Sequence, residues 1–117
     1  MQVNIDIKWE RKEGVLIAMP TGSIDSISAP ELQRVLESGI DPEEQALILD
    51  CEQVSFISSA GIRIFLIFAR EFKASGKQFG VCALSDPIRK VMALGRFDQL
   101  VAVYDSQKEA LNAFKSS

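Results

Sequence analysis

Two adjacent serines, Ser58 and Ser59, lie where an apolar segment passes into the longest predicted helix of the chain. A serine hydroxyl at a helix N-terminus can cap the helix, which is its commoner role, or it can carry a phosphoryl group. The free N–H groups of such a terminus favour an anion there. The local pattern therefore leaves a structural cap and a modification site as alternatives.

Composition removes most catalytic chemistry from consideration. The chain has no histidine, which is the commonest general base and a frequent zinc ligand. Its two cysteines, Cys51 and Cys82, are far apart in apolar segments, and we expect buried, reduced thiols. Paired carboxylates on one helix face and a phosphate-binding glycine loop are also missing. We therefore expect a protein that is not an enzyme and that holds no cofactor and no metal.

Length and charge predict one ordinary globular domain over residues 1–117. The sequence has 13 Lys and Arg against 16 Asp and Glu, and this net charge of −3 argues against nucleic-acid binding. No apolar run approaches the ~18–20 residues of a membrane helix. The first residues lack the basic and apolar regions of an export signal. We expect a cytoplasmic protein that binds neither nucleic acid nor membrane.

The strand signals begin with a hairpin. Residues 3–9 alternate apolar and polar side chains, residues 10–14 form a short charged turn, and residues 15–19 are continuously apolar. A connection this short joins antiparallel neighbours. Three later apolar segments predict further strands, at residues 46–50, 78–84 and 101–104.

Helix signals fill the segments between these strands. Ser28 precedes Pro30 and Glu31 in a capping-box pattern, and Gly39 is placed to end the helix that follows. Residues 60–74 keep helical apolar spacing despite many β-forming side chains. Two further helices are predicted, one from Ser85 to Gly95 and one that follows a second capping box, Ser106 to Glu109.

The order β-β-α-β-α-β-α-β-α predicts an α/β fold. We expect a mixed, mostly parallel sheet of about five strands, with four helices. In open α/β sheets, sites favour the edge where the parallel strands end. Residues 50–63 run from such a strand end, through a loop, into the longest helix, so the two serines are expected at that edge.

Two short motifs accompany this order of elements. One is Phe56-Ile57-Ser58-Ser59-Ala60-Gly61, and the other is Gly22-Ser23-Ile24-Asp25, which is followed by a helix that opens near Ala29. They resemble the phosphorylation loop of STAS domains, Phe-x-(Asp/Ser)-Ser-(Ser/Ala/Thr)-Gly, and the upstream STAS signature, Gly-x-(Leu/Ile)-Asp. The resemblance covers essentially the whole chain and is strongest to the anti-sigma-factor antagonists of bacterial partner-switching pathways.

This resemblance implies a binding protein that is switched by phosphorylation. Ser59 aligns with the phosphorylated serine of the family, and Ser58, which replaces a common aspartate, is the second candidate. Asp25 aligns with an acidic residue that contacts the kinase. The implied partner-binding residues are Asp25, Ser58, Ser59, Gly61, Ile62 and Arg63. Arg63 could pair with a phosphate on Ser59, although a solvated arginine on a helix face gives the same pattern.

The resemblance also implies the partners. The unphosphorylated protein would bind a GHKL-type serine kinase that doubles as an anti-sigma factor, and the kinase would release its target. Phosphorylation at Ser59 would abolish this binding, and a PP2C-type serine phosphatase would restore it. The alternative function is a non-switching STAS scaffold subunit of a transporter or of a signalling assembly. A receiver domain fits poorly, since Asp50 ends a strand but the acidic pair of receivers is missing.

Overall fold

A mixed sheet of six strands forms the centre of the protein in a computed structural model that describes residues 5–116. The strands are β1 (Asp6–Lys12), β2 (Val15–Ile24), β3 (Ala46–Asp50), β4 (Val54–Ile57), β5 (Gln78–Cys82) and β6 (Ala102–Tyr104). The helices of this described part are α1 (Ala29–Gly39), α2 (Ser59–Ala74), α3 (Asp86–Leu94) and α4 (Gln107–Lys115), with a 3₁₀ turn at Phe97–Gln99. The predicted α/β fold and element order are confirmed, and β4 is an additional strand.

The strands lie in the order β1-β2-β3-β5-β6, and β4 pairs with β2. β1 and β2 are antiparallel, whereas every other strand pairing in the described residues is parallel. The predicted hairpin and the mostly parallel sheet are therefore confirmed. Because β2 to β6 run in one direction, they all end at one side of the sheet, which we call the carboxyl edge.

The hairpin turn is shorter than the sequence indicates. The charged residues 10–14 predict a turn, but the chain reverses over Glu13 and Gly14 alone, and β1 continues up to this turn. Both turn residues have positive φ, 53° and 80°, as a two-residue type I′ turn requires. The charged side chains instead suit β1 as an edge strand. Val3 and Asn4 of the predicted first strand lie outside the described residues.

β2 is long enough to pair with two strands in succession. Its residues 16–18 pair with β3, and its residues 22–24 pair with β4. The sequence pattern predicts a loop at residues 54–57, but the structure has the strand β4 there. The segment lacks strand alternation because both of its ends are buried while Ser55 and Phe56 between them are exposed. The pairing of β4 brings the loop after it against the loop after β2.

Helices cover the two faces of the sheet unequally. α1, α2 and α3 pack on one face, around the fully buried Phe65, and α4 packs on the other face, against Ile17 and Ile48. Neighbouring side chains of β2 alternate between the two cores, so Leu16 and Ala18 face the three-helix side. This packing fixes α2 across the sheet, with its N-terminus at the carboxyl edge.

The start of α1 differs from the predicted capping box. Ser28 occupies the cap position, but its hydroxyl donates to the carbonyl oxygen of Ser23 (2.8 Å) instead of accepting a helix N–H. Glu31 pairs with Arg34, one turn along the helix, and not with Ser28. The capping acceptor is the carboxylate of Asp25, three residues upstream of the predicted cap.

The other helix ends follow the sequence signals closely. α4 begins after Ser106, whose hydroxyl accepts the N–H of Glu109 (3.2 Å). The Glu109 carboxylate accepts the N–H of Asp105 (3.1 Å) and so closes the turn one residue earlier than a standard capping box. α3 ends at Leu94, with Gly95 as its C-cap.

A partly buried ion pair joins the edge strand to the connection between α1 and β3. The guanidinium of Arg11 on β1 donates two hydrogen bonds to the carboxylate of Glu44, one of them at 2.8 Å. The Glu44 side chain is only 10% exposed. The hydrogen bond from Arg11 lowers the pKa of Glu44, against the opposing effect of burial.

Replacement of Glu44 by glutamine is expected to lower the thermal midpoint at pH 7. The pKa of Glu44 is lowered in the folded state. The stability that the ionised Glu44 contributes is therefore complete above the unfolded pKa of about 4.3 and is lost as the pH falls through the folded pKa. Thermal denaturation of wild type and Glu44→Gln between pH 7 and pH 3 measures the difference between their thermal midpoints. The neighbouring, exposed Glu43→Gln is the control and should match wild type. A midpoint difference that stays constant down to pH 3 would contradict a stabilising role of the ionised Glu44.

Candidate functional site

Two loops meet at the carboxyl edge, one after β2 and one after β4. Ile24 at the end of β2 pairs with Ile57 at the end of β4, and the N–H of Ser58 donates to the carbonyl oxygen of Ile24 (2.8 Å). Asp25 follows Ile24 directly, so the structure brings Asp25 beside Ser58 and Ser59. These three site residues predicted from the sequence therefore lie together, although they come from distant parts of the chain.

The two serines have different structural roles. Ser58 has an extended backbone (φ −92°, ψ 176°) and is the N-cap of α2, where its hydroxyl accepts the N–H of Gly61 at a long 3.4 Å. Its carbonyl oxygen accepts the N–H of Ile62 (3.0 Å), the first hydrogen bond of the helix. Ser59 occupies the first helical position and is exposed. Capping is thus done by Ser58, and the hydroxyl-bearing residue beside it is presented to solvent.

Gly61 and Ile62 lie beneath the site and not on its surface. Both are buried, and Ile62 is only 2% exposed. A Cβ on Gly61 would overlap Cγ1 of Ile57 and would lie 2.8 Å from Cγ2 of Ile24. Glycine here lets the first turn of α2 approach the ends of β2 and β4 closely. Their part in the site is therefore to position the serines, because a partner could reach neither residue without displacing the loop.

Asp25 shapes the second loop. Its Oδ1 accepts the N–H groups of Ile27 and Ser28, both at 2.9 Å, and the N–H of Asp25 donates to the Ser28 hydroxyl (2.9 Å). The hydrogen bond from the Ser28 N–H and then that from Ile27 lower the pKa of Asp25, against the effect of burial. Asp25 is therefore ionised at neutral pH. Its negative charge lies at the loop junction, and its carboxylate holds the backbone that leads into α1.

Arg63 lies one helical turn beyond Ser59. Residues four apart share one face of a helix, and helical side chains lean toward the N-terminus. The exposed Arg63 is therefore on the same face of α2 as the Ser59 hydroxyl. Together with the N-terminal N–H groups of α2, it makes the surface around Ser59 tolerant of an anion.

Two large apolar side chains near the loop junction are exposed, and the sequence predicts the exposure of neither. Ile27 is 66% exposed in the loop after β2, and Phe56 is 53% exposed on β4. The available signal for Ile27 was an isolated apolar residue between two serines. Phe56 belongs to the motif of residues 56–61, but its exposure is not predicted, because an aromatic residue in an apolar segment suggests burial.

Other reactive groups of the described residues do not compete with this site. Cys51 and Cys82 are buried free thiols, as predicted, and burial raises the pKa of Cys82 to about 12. Burial also raises the pKa of Cys51 well above its usual range, so neither thiol is a nucleophile at neutral pH. Among residues 5–116, no group of three or more His, Cys, Asp or Glu could hold a metal ion. No helix in that range is long and apolar enough to cross a membrane.

Asp25→Ala is expected to lower the thermal midpoint, because it removes the acceptor of two N–H groups at the start of α1. Asp25→Asn should retain most of the stability, since an amide oxygen can accept the same hydrogen bonds. Thermal denaturation at pH 7 compares the two, with the exposed Ser26→Ala as control. Equal midpoints for Asp25→Ala and wild type would mean that the carboxylate is not a cap.

Comparisons with known proteins identify the family of this chain. BtrV of Bordetella bronchiseptica, which is named as an anti-sigma factor antagonist, is 30% identical over 111 residues, covering 95% of this chain and 96% of BtrV. A solved anti-sigma factor antagonist from Mycobacterium paratuberculosis superposes with a TM-score of 0.82 at 26% identity, over 96% of this chain and 95% of that one.

The same fold is present in the anti-sigma factor antagonist SpoIIAA in its unphosphorylated form. It superposes with a TM-score of 0.75 at 18% identity, over 96% of this chain and 98% of SpoIIAA. SpoIIAA, a cell fate determinant of Bacillus, has also been solved in a phosphorylated form. The family model of the STAS domain matches residues 6–110, and the chain therefore belongs to the STAS domain family.

Proposed function

We propose that this protein is an anti-sigma factor antagonist of a partner-switching system. Its unphosphorylated form binds a GHKL-type serine kinase that is also the anti-sigma factor, and the kinase releases its target. Phosphorylation of Ser59 ends the binding, and a PP2C-type phosphatase restores it. The observation that carries the proposal is that the two serines at the start of α2 have different roles. Ser58 caps the helix, whereas Ser59 is exposed at the loop junction that also contains Asp25.

The geometry favours Ser59 over Ser58 as the phosphorylated residue. The hydroxyl of Ser58 faces the Gly61 N–H and is partly buried, so a phosphate there would have to displace the loop. Ser59 is exposed at the first position of a 16-residue helix, where free N–H groups and Arg63 favour added negative charge. Phosphorylation at Ser59 is therefore compatible with an unchanged fold.

The proposed reaction needs nothing from this chain except the hydroxyl. The Ser59 oxygen attacks the γ-phosphorus of ATP held by the kinase, the bond from that phosphorus to the β-phosphate oxygen breaks, and the hydroxyl proton passes to a base of the kinase. The products are phosphoserine and ADP. The phosphatase restores the serine by a separate hydrolysis, in which a water oxygen attacks the phosphorus, the bond from phosphorus to the Ser59 oxygen breaks, the serine oxygen takes up a proton, and inorganic phosphate leaves.

Electrostatics explains how the modification would separate the partners. A phosphate adds about −1.5 to −2 charges beside the ionised Asp25. A surface that holds the nucleotide phosphates of a kinase would face this charge directly. Each loss of about 1.4 kcal/mol in binding free energy weakens affinity tenfold, so a few kcal/mol are enough for a switch.

The comparisons support the same role. BtrV, the relative with 30% identity, is named for it, and the SpoIIAA fold, which this chain shares, is known in both phosphorylation states. An aspartate often precedes the phosphoserine in this family. In this chain Ser58 takes that position, and its hydroxyl caps the helix as an aspartate would.

Protein isolated from its own cells is expected to carry one phosphate, and a Ser59→Ala variant none. Intact-mass analysis of both, under several growth conditions, measures this directly. Ser58→Ala is the matched variant, and it should keep the phosphate. A wild-type protein that is never phosphorylated would contradict the switch and would favour the non-switching scaffold.

Ser59→Asp is expected to weaken kinase binding strongly while the thermal midpoint stays nearly unchanged, because an acidic residue is tolerated in the first turn of a helix. The binding partners are the GHKL-type serine kinases encoded in the source genome, each purified and tested by calorimetry. Asn112→Asp adds the same charge on α4 and should bind as wild type does. Equal affinity of Ser59→Asp and wild type would contradict the electrostatic switch.

A further inference from the structure

Five large apolar side chains among the described residues are exposed, and they fall into two groups. Ile27 and Phe56, 66% and 53% exposed, border the site described above. Val91, Leu94 and Leu100 form the second group, on α3 and the turn after it. Single exposed apolar residues are common on protein surfaces. The first group is informative because of where it lies.

Ile27 and Phe56 are both tied to the junction of the two loops. Ile27 is three residues after Ile24, whose carbonyl oxygen accepts the N–H of Ser58, and Phe56 is two residues before Ser58. Three residues of chain span at most about 10 Å. Each apolar residue therefore lies within about that distance of the hydrogen bond that joins the loops.

The backbone around both residues is well fixed. The N–H of Ile27 donates to Oδ1 of Asp25 (2.9 Å), and Phe56 is paired in register with Ser23 of β2. The register shift leaves Ser55 without a partner on β2, and beyond it Ile57 lies in the core while Phe56 is exposed. Ile27 lies in the loop that leads into α1. Both side chains are thus held near the loop junction on fixed backbone, and binding would cost little ordering.

A kinase that transfers a phosphoryl group to Ser59 must cover the surface around it. A typical protein interface buries about 800 Å² on each partner, which corresponds to a disc of about 16 Å radius. Both apolar residues fall within such a footprint centred on the loop junction. Leu100 of the second group does not, because it lies two residues before β6, and the parallel strands begin at the edge opposite Ser59.

We infer that Ile27 and Phe56 are the apolar anchors of the kinase interface, an inference that rests on the proposed function. Large apolar side chains held in a desolvated centre supply most of the binding energy of an interface, whereas small polar groups set charge complementarity. The kinase surface that fits this site has apolar recesses close to the point where it presents the γ-phosphate. The same anchors exclude water around Ser59, so a phosphate there is buried without its solvation and opposes binding more strongly.

The test measures the affinity of unphosphorylated variants for the GHKL-type serine kinases of the source genome, each purified and loaded with magnesium and ADP. Ile27→Ala and Phe56→Ala should each weaken binding about tenfold or more. Ile27→Leu and Phe56→Leu keep the apolar character and should restore most of the affinity. Leu100→Ala is the matched control, since Leu100 is 68% exposed at the opposite edge, and it should bind as wild type does. Unchanged thermal midpoints for these variants establish that they are folded.

The possible results distinguish failure of the apolar anchors from failure of the proposed function. If wild type binds a kinase, Ser59→Asp does not, and the alanine variants bind as Leu100→Ala does, the anchors are refuted while the proposed function stands. If no purified kinase binds wild type, the proposed function itself is overturned. Loss of affinity in the two alanine variants, with recovery in the leucine variants, supports the anchors.

Discussion

The site depends on one backbone interaction, the pairing of the second half of β2 with β4. β2 continues past the end of its pairing with β3, and its last residues meet β4 in parallel. The hydrogen bond from the Ser58 N–H to the Ile24 carbonyl oxygen extends this pairing by one step and joins the two loops. Without it, the cap of α2 and the entrance to α1 would be independent surface features.

Packing below the loops makes this junction rigid. Gly61 allows the first turn of α2 to lie directly on Ile24 and Ile57, and Ile62 enters the core one residue later. Asp25 fixes the other loop through the N–H groups that its carboxylate accepts. A single side chain therefore shapes the local backbone and also brings a negative charge to the loop junction.

The sequence predicts the parts of this protein that rest on local signals. Continuous apolar segments such as Ala46–Asp50 and the apolar spacing of α2 identify elements because the periodicity of buried residues is a local property. β4 is not predicted, because its burial pattern is set by a partner strand far away in the sequence and by a register shift in β2. The hairpin turn is predicted too long, since charged residues on an edge strand resemble a turn. The start of α1 is predicted at the wrong acceptor, because serine and aspartate are equally good caps and only the fold decides which one faces the helix.

The candidate site, too, is predicted only where local sequence signals are enough. Motif resemblance is enough to predict that Ser59 and Asp25 belong to one site, but the sequence pattern does not separate the roles of Ser58 and Ser59. That separation depends on backbone dihedral angles, with Ser58 extended and Ser59 helical. The exposure of Ile27 and Phe56 is likewise a property of the assembled surface, because an apolar residue in a sequence suggests burial unless its neighbours are known.

The joining of distant loops also has a consequence for folding. β1 and β2 form a local hairpin that can assemble early, whereas the pairing of β2 with β4 must wait until α1 and β3 have closed the long loop between them. An unfolded or half-folded chain presents Ser59 without Asp25 or Ile27 beside it. A partner that recognises all three residues would therefore bind the folded protein and not an unfolded or half-folded chain.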